Sequence, residues 1–262
     1  MPYPILSPSH PHPQYLGKHA LAVMAKAPRP GKVKTRLSPP LTLAQTAALN
    51  ICFLKDTTTN LAAVGNNSMG LVCYTPIGDE AAFETLLPEA FALIPQRGDT
   101  FGQRLLAAAE DILACGFASV CLIDSDSPTV PHAAFEQAVA DLARPGDRIV
   151  LGPSDDGGYY LIGLKQPHPE LFGRISWSTA DVAEETRQRC REASLELVDL
   201  PLWYDVDDAA TLATLNAELL ESIPPTFAQM PGYPAPHTRE FLMELDTPTD
   251  LVAQAPVDSH DG

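Results

Sequence analysis

Residues 20–37 read Ala20-Leu-Ala-Val-Met-Ala25, then Lys26-Ala-Pro-Arg-Pro-Gly-Lys-Val-Lys-Thr-Arg-Leu37. The first six are apolar on successive positions, the pattern of a strand buried on both faces. The residues after them hold prolines, a glycine and the cations Lys26, Arg29, Lys32, Lys34 and Arg36, which end the strand and open a loop. A loop at a strand's carboxyl end can turn backbone N–H groups toward an anion, and Gly31 permits close approach. Lys26, Lys32, Lys34 and Arg36 add charge, the guanidinium being suited to bidentate contact with a phosphate. The GxxxxGK[ST] spacing of a P-loop is absent. A solvated basic turn would produce the same letters.

Charge distribution favours the anion site. The 262 residues carry 17 Lys and Arg against 33 Asp and Glu, a net charge of −16. No acidic residue precedes Asp56, whereas Lys18, Lys55 and the five loop cations all fall before it. An acidic chain with one concentrated basic segment is expected to spend it on a small anionic ligand. Nucleic acid is excluded as a partner, because backbone binding needs a broad basic face. No apolar run reaches the length of a membrane span, and no basic-then-apolar leader is recognisable. Cys52, Cys73, Cys115, Cys121 and Cys190 form no CxxC pair, so free thiols and a cytoplasmic setting are expected.

Outward from the first strand, short apolar runs alternate with amphipathic stretches. Strands are expected at 20–25, 69–74, 91–95, 119–123, 148–152, 159–163 and 195–199. Helices are expected near 42–62, 79–87, 101–115, 132–143, 180–192 and 208–220, with a short one near 238–245. Thr42 with Gln45, and Thr100 with Gln103, fit capping boxes, and Ser178 with Asp181 reads as another. Such alternation implies a single α/β domain with a mostly parallel sheet covered by helices on both faces, its ligand at the strands' carboxyl ends. Residues 1–19, rich in Pro and His, read as a flexible tail, 20–222 as the domain, and 223–262 as a C-terminal extension.

Three further stretches carry chemistry. In Leu122-Ile-Asp-Ser-Asp-Ser-Pro128 a strand runs into Asp124 and Asp126, hard oxygen donors suited to Mg²⁺ or Mn²⁺, with Asp126 the expected ligand. An Asx-turn before Pro128 would explain the same residues. In Gly152-Pro-Ser-Asp-Asp-Gly-Gly-Tyr-Tyr160, Gly157 and Gly158 leave room for substrate, and Asp155 or Asp156 could accept from its hydroxyls. A hairpin turn fits too. In Tyr204-Asp-Val-Asp-Asp208, Asp207 could complete a metal site with Asp126 or cap the following helix. Arg104, in the first turn of the helix capped by Thr100, opposes the helix dipole and hints at an anionic partner. Trp177 reads as core or pocket wall. Asp155, Asp156 and His168 are the candidates for a general base, unranked.

In order along the chain, AKAPRPGKVKTRL, QRGDTFGQRL, IDSDSP, GPSDDGGYYLIGL, ISWST and YDVDDAATL resemble the nucleotide-diphospho-sugar transferase superfamily with the GT-A fold. Within it they are most similar to bacterial glycosyltransferase-like proteins, some linked to arsenosugar biosynthesis clusters. The resemblance runs from about Leu21 to about Leu220. It implies a Rossmann-like sheet, a basic loop on the nucleotide's phosphates, and Mg²⁺ or Mn²⁺ held by an Asp of the DxD type and a late Asp. These map onto Asp126 and Asp207. Two departures stand out. Ser127 replaces the family's usual Cys, and Asp208-Ala-Ala-Thr211 replaces its usual Thr-Pro-Glu-Asp. A later stretch, Leu245-Asp-Thr-Pro-Thr-Asp-Leu251, matches that ending better but falls too far along.

Three functions follow as expectations. Glycosyl transfer from a nucleotide-diphospho-sugar to a small acceptor is the first. Nucleotidyl transfer from a nucleoside triphosphate to a phosphorylated small molecule is the second, favoured by cation density. A catalytically silent nucleotide-binding protein is the third. In both enzyme readings Asp126 and Asp156 are catalytic, Lys26, Gly31, Lys32, Lys34, Arg36 and Arg104 bind phosphate, and Asp155, Gly157 and Gly158 bind substrate.

Overall fold

The computed structural model describes residues 3–9, 11–65 and 67–245. Seven strands form one sheet: β1 (His19–Lys26), β2 (Ser68–Thr75), β3 (Ala92–Pro95), β4 (Ser119–Ile123), β5 (Arg148–Pro153), β6 (Tyr159–Leu164) and β7 (Glu196–Asp199). Their order is β3-β2-β1-β4-β6-β5-β7, and β6 alone runs antiparallel to its neighbours. The helices are α1 (Leu43–Ala62), α2 (Phe101–Ala114), α3 (His132–Ala143), the single turn α4 (Glu170–Gly173), α5 (Val182–Glu192), α6 (Ala209–Glu221) and α7 (Pro236–Leu245).

Alternation along the strands builds two cores from one sheet. Leu21, Val23, Cys121 and Ile123 join one apolar cluster with side chains of α1, α3, α6 and α7. Ala20, Ala22, Val120 and Leu122 join another with side chains of α2, α4 and α5. Both faces are therefore covered, which is why β1 and β4 read as unbroken apolar runs. Among the described residues no helix is long and apolar enough to cross a membrane. The five cysteines are free, four of them buried.

From β1 the chain works outward through β2 and β3, then returns to place β4 on β1's other side. The loops after β1 and β4 diverge over a crevice at this switch point. Both expected capping boxes form, Thr42 accepting from the Gln45 N–H and Thr100 from that of Gln103.

Four expectations need correction. Residues 79–87 make only a 3-10 turn at Glu80–Phe83. Thr85 has φ of 66°, and Pro88 keeps its predecessor out of helical conformation, so no second turn forms. Ser178 caps nothing: it has φ of 66°, and Asp181 stands at the N-cap of α5 without a side-chain bond. The Pro/His-rich start is not a loose tail. Ile5 bridges Leu93 on the sheet's edge strand, the Leu6 N–H donates to the Leu93 carbonyl at 2.7 Å, and Tyr15 stacks on Phe117 at 4.9 Å. An edge strand offers unpaired backbone groups, and this segment uses them. The extension, as far as Leu245, belongs to the same core. Asp56 of α1 accepts from the N–H groups of His237 and Thr238 at 3.0 and 2.7 Å, capping α7. The second Asp-Thr-Pro stretch lies, after Leu245, outside the described residues.

Candidate active site

The basic loop leaves β1 at Lys26, turns at Gly31 with φ of 72°, and ends in a 3-10 turn at Thr35–Leu37. Lys34 adopts left-handed backbone, φ 48°, and its side chain points inward. Its Nζ donates to Asp207 Oδ1 at 2.8 Å and the Val206 carbonyl at 2.7 Å, and pairs with Asp126 Oδ1 at 2.9 Å. The side chain is 3% exposed, and the ammonium's three protons are all committed. Burial alone would lower its pKa, but Asp126 and Asp207 outweigh that and hold it above the ordinary lysine value.

The other loop cations divide. Arg29 pairs with Asp79 at 2.5 Å. Lys26, Lys32 and Arg36 line a cavity of 270 Å³ together with Asn50, Ser125, Asp126 and Asp207. Lys26 and Lys32 have no ion-pair partner among the described residues, and Arg36, 78% exposed, reaches Asp207 only at 3.9 Å.

Across the two aspartates lies a second cavity of 470 Å³, of opposite character. Asp124, Asp126, Asp156, Asp205 and Asp207 line it, Phe101, Tyr159 and Trp177 wall one side, and Arg36 is its one lining cation. Asp124 is half-buried, accepting from Ser127 Oγ at 2.7 Å and the Asp126 N–H at 3.3 Å. Desolvation, then the charge of Asp126, raises its pKa well above the ordinary carboxylate value. Asp205 is pushed up to about 6 by burial, then by Asp156 and Asp207. Asp126 remains 34% exposed and Asp207 45%.

Local sequence explains this arrangement. Asp208 caps α6, accepting from the N–H groups of Ala210 and Thr211 at 3.0 and 2.9 Å in a capping box closed by Thr211. The departure at 208–211 thus supplies the cap and leaves Asp207 to the site. Likewise Ser127 supplies the hydroxyl that holds Asp124. Between β5 and β6 a tight turn joins the Gly157 N–H to the Ser154 carbonyl at 3.1 Å. Gly157 has φ of 90°, and a Cβ there would lie 2.0 Å from the Ala180 carbonyl oxygen. The glycine thus serves turn and packing together. Asp156 Oδ1 accepts from the Gly158 N–H at 2.8 Å, which fixes its carboxylate at the cleft.

Of the residues singled out in the sequence, Lys26, Lys32, Lys34, Arg36, Asp126 and Asp207 come together, and Asp156 and Gly158 line the adjoining cleft. Gly31, Arg104, Asp155 and Gly157 line neither cavity. Arg104 stands 6.0 Å over the Phe101 ring. His168 lies after the carboxyl end of the reversed strand β6, between Asp147 and Glu170 at 3.1 Å each, at the sheet's opposite end, so it is no general base for this site. Sequence reading missed Asp205, Phe101, Tyr159 and Asn50. Asp205 sat within a quoted motif; Asn50 is one of several polar residues in α1 and had no signal of its own.

Asp126 and Asp207 are the residues that could hold a divalent cation here. Each gives one oxygen to Lys34 Nζ, at 2.9 and 2.8 Å, and both side chains stay partly exposed. Their oxygens are the donors Mg²⁺ and Mn²⁺ prefer. Among the described residues no group of three or more His, Cys, Asp and Glu has metal-binding geometry, so phosphate or water oxygens would have to complete the shell.

Residues 59–179 match the family described as "Uncharacterized protein conserved in bacteria (DUF2064)". A crystal structure of a "putative nucleotide-diphospho-sugar transferase" from Desulfovibrio desulfuricans G20 is 30% identical, with 88% of this chain and 96% of that one covered and a TM-score of 0.74. CMP:2-keto-3-deoxy-manno-octonic acid synthetase complexed with CTP shares the fold at 12% identity, covering 79% and 100%, with a TM-score of 0.51. So does a cytidylyltransferase from Leptospira borgpetersenii serovar Hardjo-bovis (strain JB197), at 12% identity, 87% and 95% coverage and a TM-score of 0.50. No curated protein matches the sequence.

Proposed function

The chain belongs to the nucleotide-diphospho-sugar transferase superfamily, and from that premise we propose that it transfers a glycosyl group from a nucleotide-diphospho-sugar to a small hydroxyl-bearing acceptor. The observation that carries this reading is the meeting of two cavities of opposite charge at one carboxylate pair, Asp126 and Asp207. Lys26, Lys32 and Arg36 bind the diphosphate on the basic side and stabilise the charge that grows on it as it leaves. The sugar and acceptor occupy the other side, where carboxylates accept from hydroxyls and Trp177 offers an aromatic face. Lys34 holds Asp126 and Asp207 at a fixed separation. Asp156, locked by the Gly158 N–H, takes a hydrogen bond from the acceptor hydroxyl and serves as its base. Mg²⁺ or Mn²⁺, when bound by Asp126 and Asp207, supplies further charge neutralisation at the diphosphate. Five free cysteines suit a cytoplasmic setting.

One observation favours nucleotidyl transfer as a second reading. Among the described residues Lys26 and Lys32 have no ion-pair partner and Arg36 only a distant one, enough cation for a triphosphate. Phosphorus NMR separates the two. The protein is incubated with each common nucleotide sugar and each nucleoside triphosphate, with Mg²⁺ or Mn²⁺ and a panel of hydroxyl and phosphate acceptors. Nucleoside diphosphate release from a nucleotide sugar is the expected result. Pyrophosphate release from a triphosphate would replace the first reading with the second, and binding without turnover across the panel would remove both.

A further inference from the structure

α1 places several polar side chains in the core, and most are bonded there. Thr46 donates to the Leu43 carbonyl at 2.9 Å, Thr58 to the Leu54 carbonyl at 2.7 Å, and Asp56 caps α7. Asn60 donates to the Val130 carbonyl at 2.9 Å and meets His132 Nδ1 at 2.8 Å. Asn50 differs. Only 6% exposed, its carboxamide makes no hydrogen bond to any described residue, yet it lines the basic cavity beside Lys26, Lys32 and Arg36. Thr57, whose hydroxyl also lacks a partner, lies outside that cavity.

The residue is buried but its amide atoms open into the cavity, so the carboxamide bonds solvent there, or a ligand that displaces it. Asp126 Oδ1 and Asp207 Oδ1 are engaged by Lys34, and Asp126 Oδ1 also by Ser125 Oγ at 3.2 Å, and neither carboxylate bonds the amide. The groups still seeking partners there are two lysines, an arginine and the amide, and all can be donors. Their common complement is an oxyanion brought from outside. We propose that Asn50 is a ligand-binding residue, donating its amide N–H to a phosphate oxygen of a pyrophosphate group seated between Lys26, Lys32 and Arg36.

This rests on the assignment of the basic cavity to phosphates. Inorganic pyrophosphate, with Mg²⁺ present, is titrated calorimetrically into the full chain, Asn50→Leu and Asn50→Asp, and each is also unfolded thermally without ligand. Asn50→Leu is expected to bind about tenfold more weakly, the loss of one hydrogen bond to a charged group. Its Tm without ligand should stay close to the parent's, since the amide bonds no described group of the protein. Asn50→Asp should bind more weakly still, from the added negative charge. Unchanged affinity in Asn50→Leu overturns the proposal, and so does a lowered Tm, which would make the amide a structural group. If the parent protein fails to bind pyrophosphate at all, the phosphate assignment of the cavity falls, and Asn50's role falls with it.

Discussion

The two cavities meet at Asp126, Asp207 and Arg36, yet they are built on opposite plans. On the basic side, charge is held in reserve: Lys26 and Lys32 pair with nothing described, and Asn50 keeps an unused amide. On the acidic side, charge is already braced, Asp124 by Ser127, Asp156 by the Gly158 N–H and Asp205 by Ser154 Oγ at 3.3 Å. Lys34 stands between, the one loop cation spent wholly inside the protein. The contrast teaches that five cations in one loop are not five copies of one function. Unpaired charge stays open to the cavity; paired charge holds the site's shape.

The sharpest way to break this division is at the shared carboxylates. Asp126→Asn is expected to lower kcat for nucleotide-dependent transfer by about 10³-fold or more, a loss typical of a group that stabilises transition-state charge. Circular dichroism and Tm should stay close to the parent's. Retained turnover with an unchanged fold would remove Asp126 from the site. Chelation of divalent ions should give the same loss with no change in Tm, and activity in excess chelator would remove the metal.

Next comes the internal cation. Lys34→Ala leaves Asp126 and Asp207 facing each other without a counter-charge. Removing one member of a fully buried pair costs about 3–5 kcal/mol, and the partial exposure of these carboxylates brings the expected loss to about 2 kcal/mol in urea unfolding. A variant as stable as the parent would show that Lys34 belongs with the ligand-facing cations instead. Those should behave oppositely. Lys32→Ala and Arg36→Ala should each weaken nucleotide binding by about 1–3 kcal/mol, an effect that shrinks in high salt, and leave unfolding unchanged. Equal affinity in both would count against the basic cavity as the phosphate site.

The smallest effect tests the neighbour of the site. Asp208→Ala removes a helix cap and should cost about 1 kcal/mol of stability with activity kept. A loss of activity comparable to that of Asp207→Ala would show that the two aspartates share one role.

Much of this molecule was legible in one dimension. All seven strands fall within a residue or so of the expected spans, and for those covered on both faces, such as β1 and β4, the reason is an unbroken hydrophobic stretch. Thr42 and Thr100 marked helix starts through contacts made only three residues away. What failed was of another kind. The 79–87 segment has helix-forming letters, but too few residues before Pro88. Residues 3–9 and 11–19 look like a tail until the open edge of β3 is placed beside them. His168 has a base's chemistry and the wrong end of the sheet. Asp207 was ambiguous between ligand and cap, and the cap is Asp208, while Asp207 lines both cavities.

From its order of letters alone, the chain settles its alternating elements, its acidic balance and the one basic loop after the first strand. Each of these depends on neighbours within a few residues, or on simple addition of charge. Folding in three dimensions decides which of those cations is spent and which is kept. Lys34 meets Asp207 across 173 positions, and Asn50 meets the loop only because α1 packs beneath it. Such pairings depend on the order of strands in the sheet, and a side chain's neighbours across a crevice leave no periodicity in the sequence.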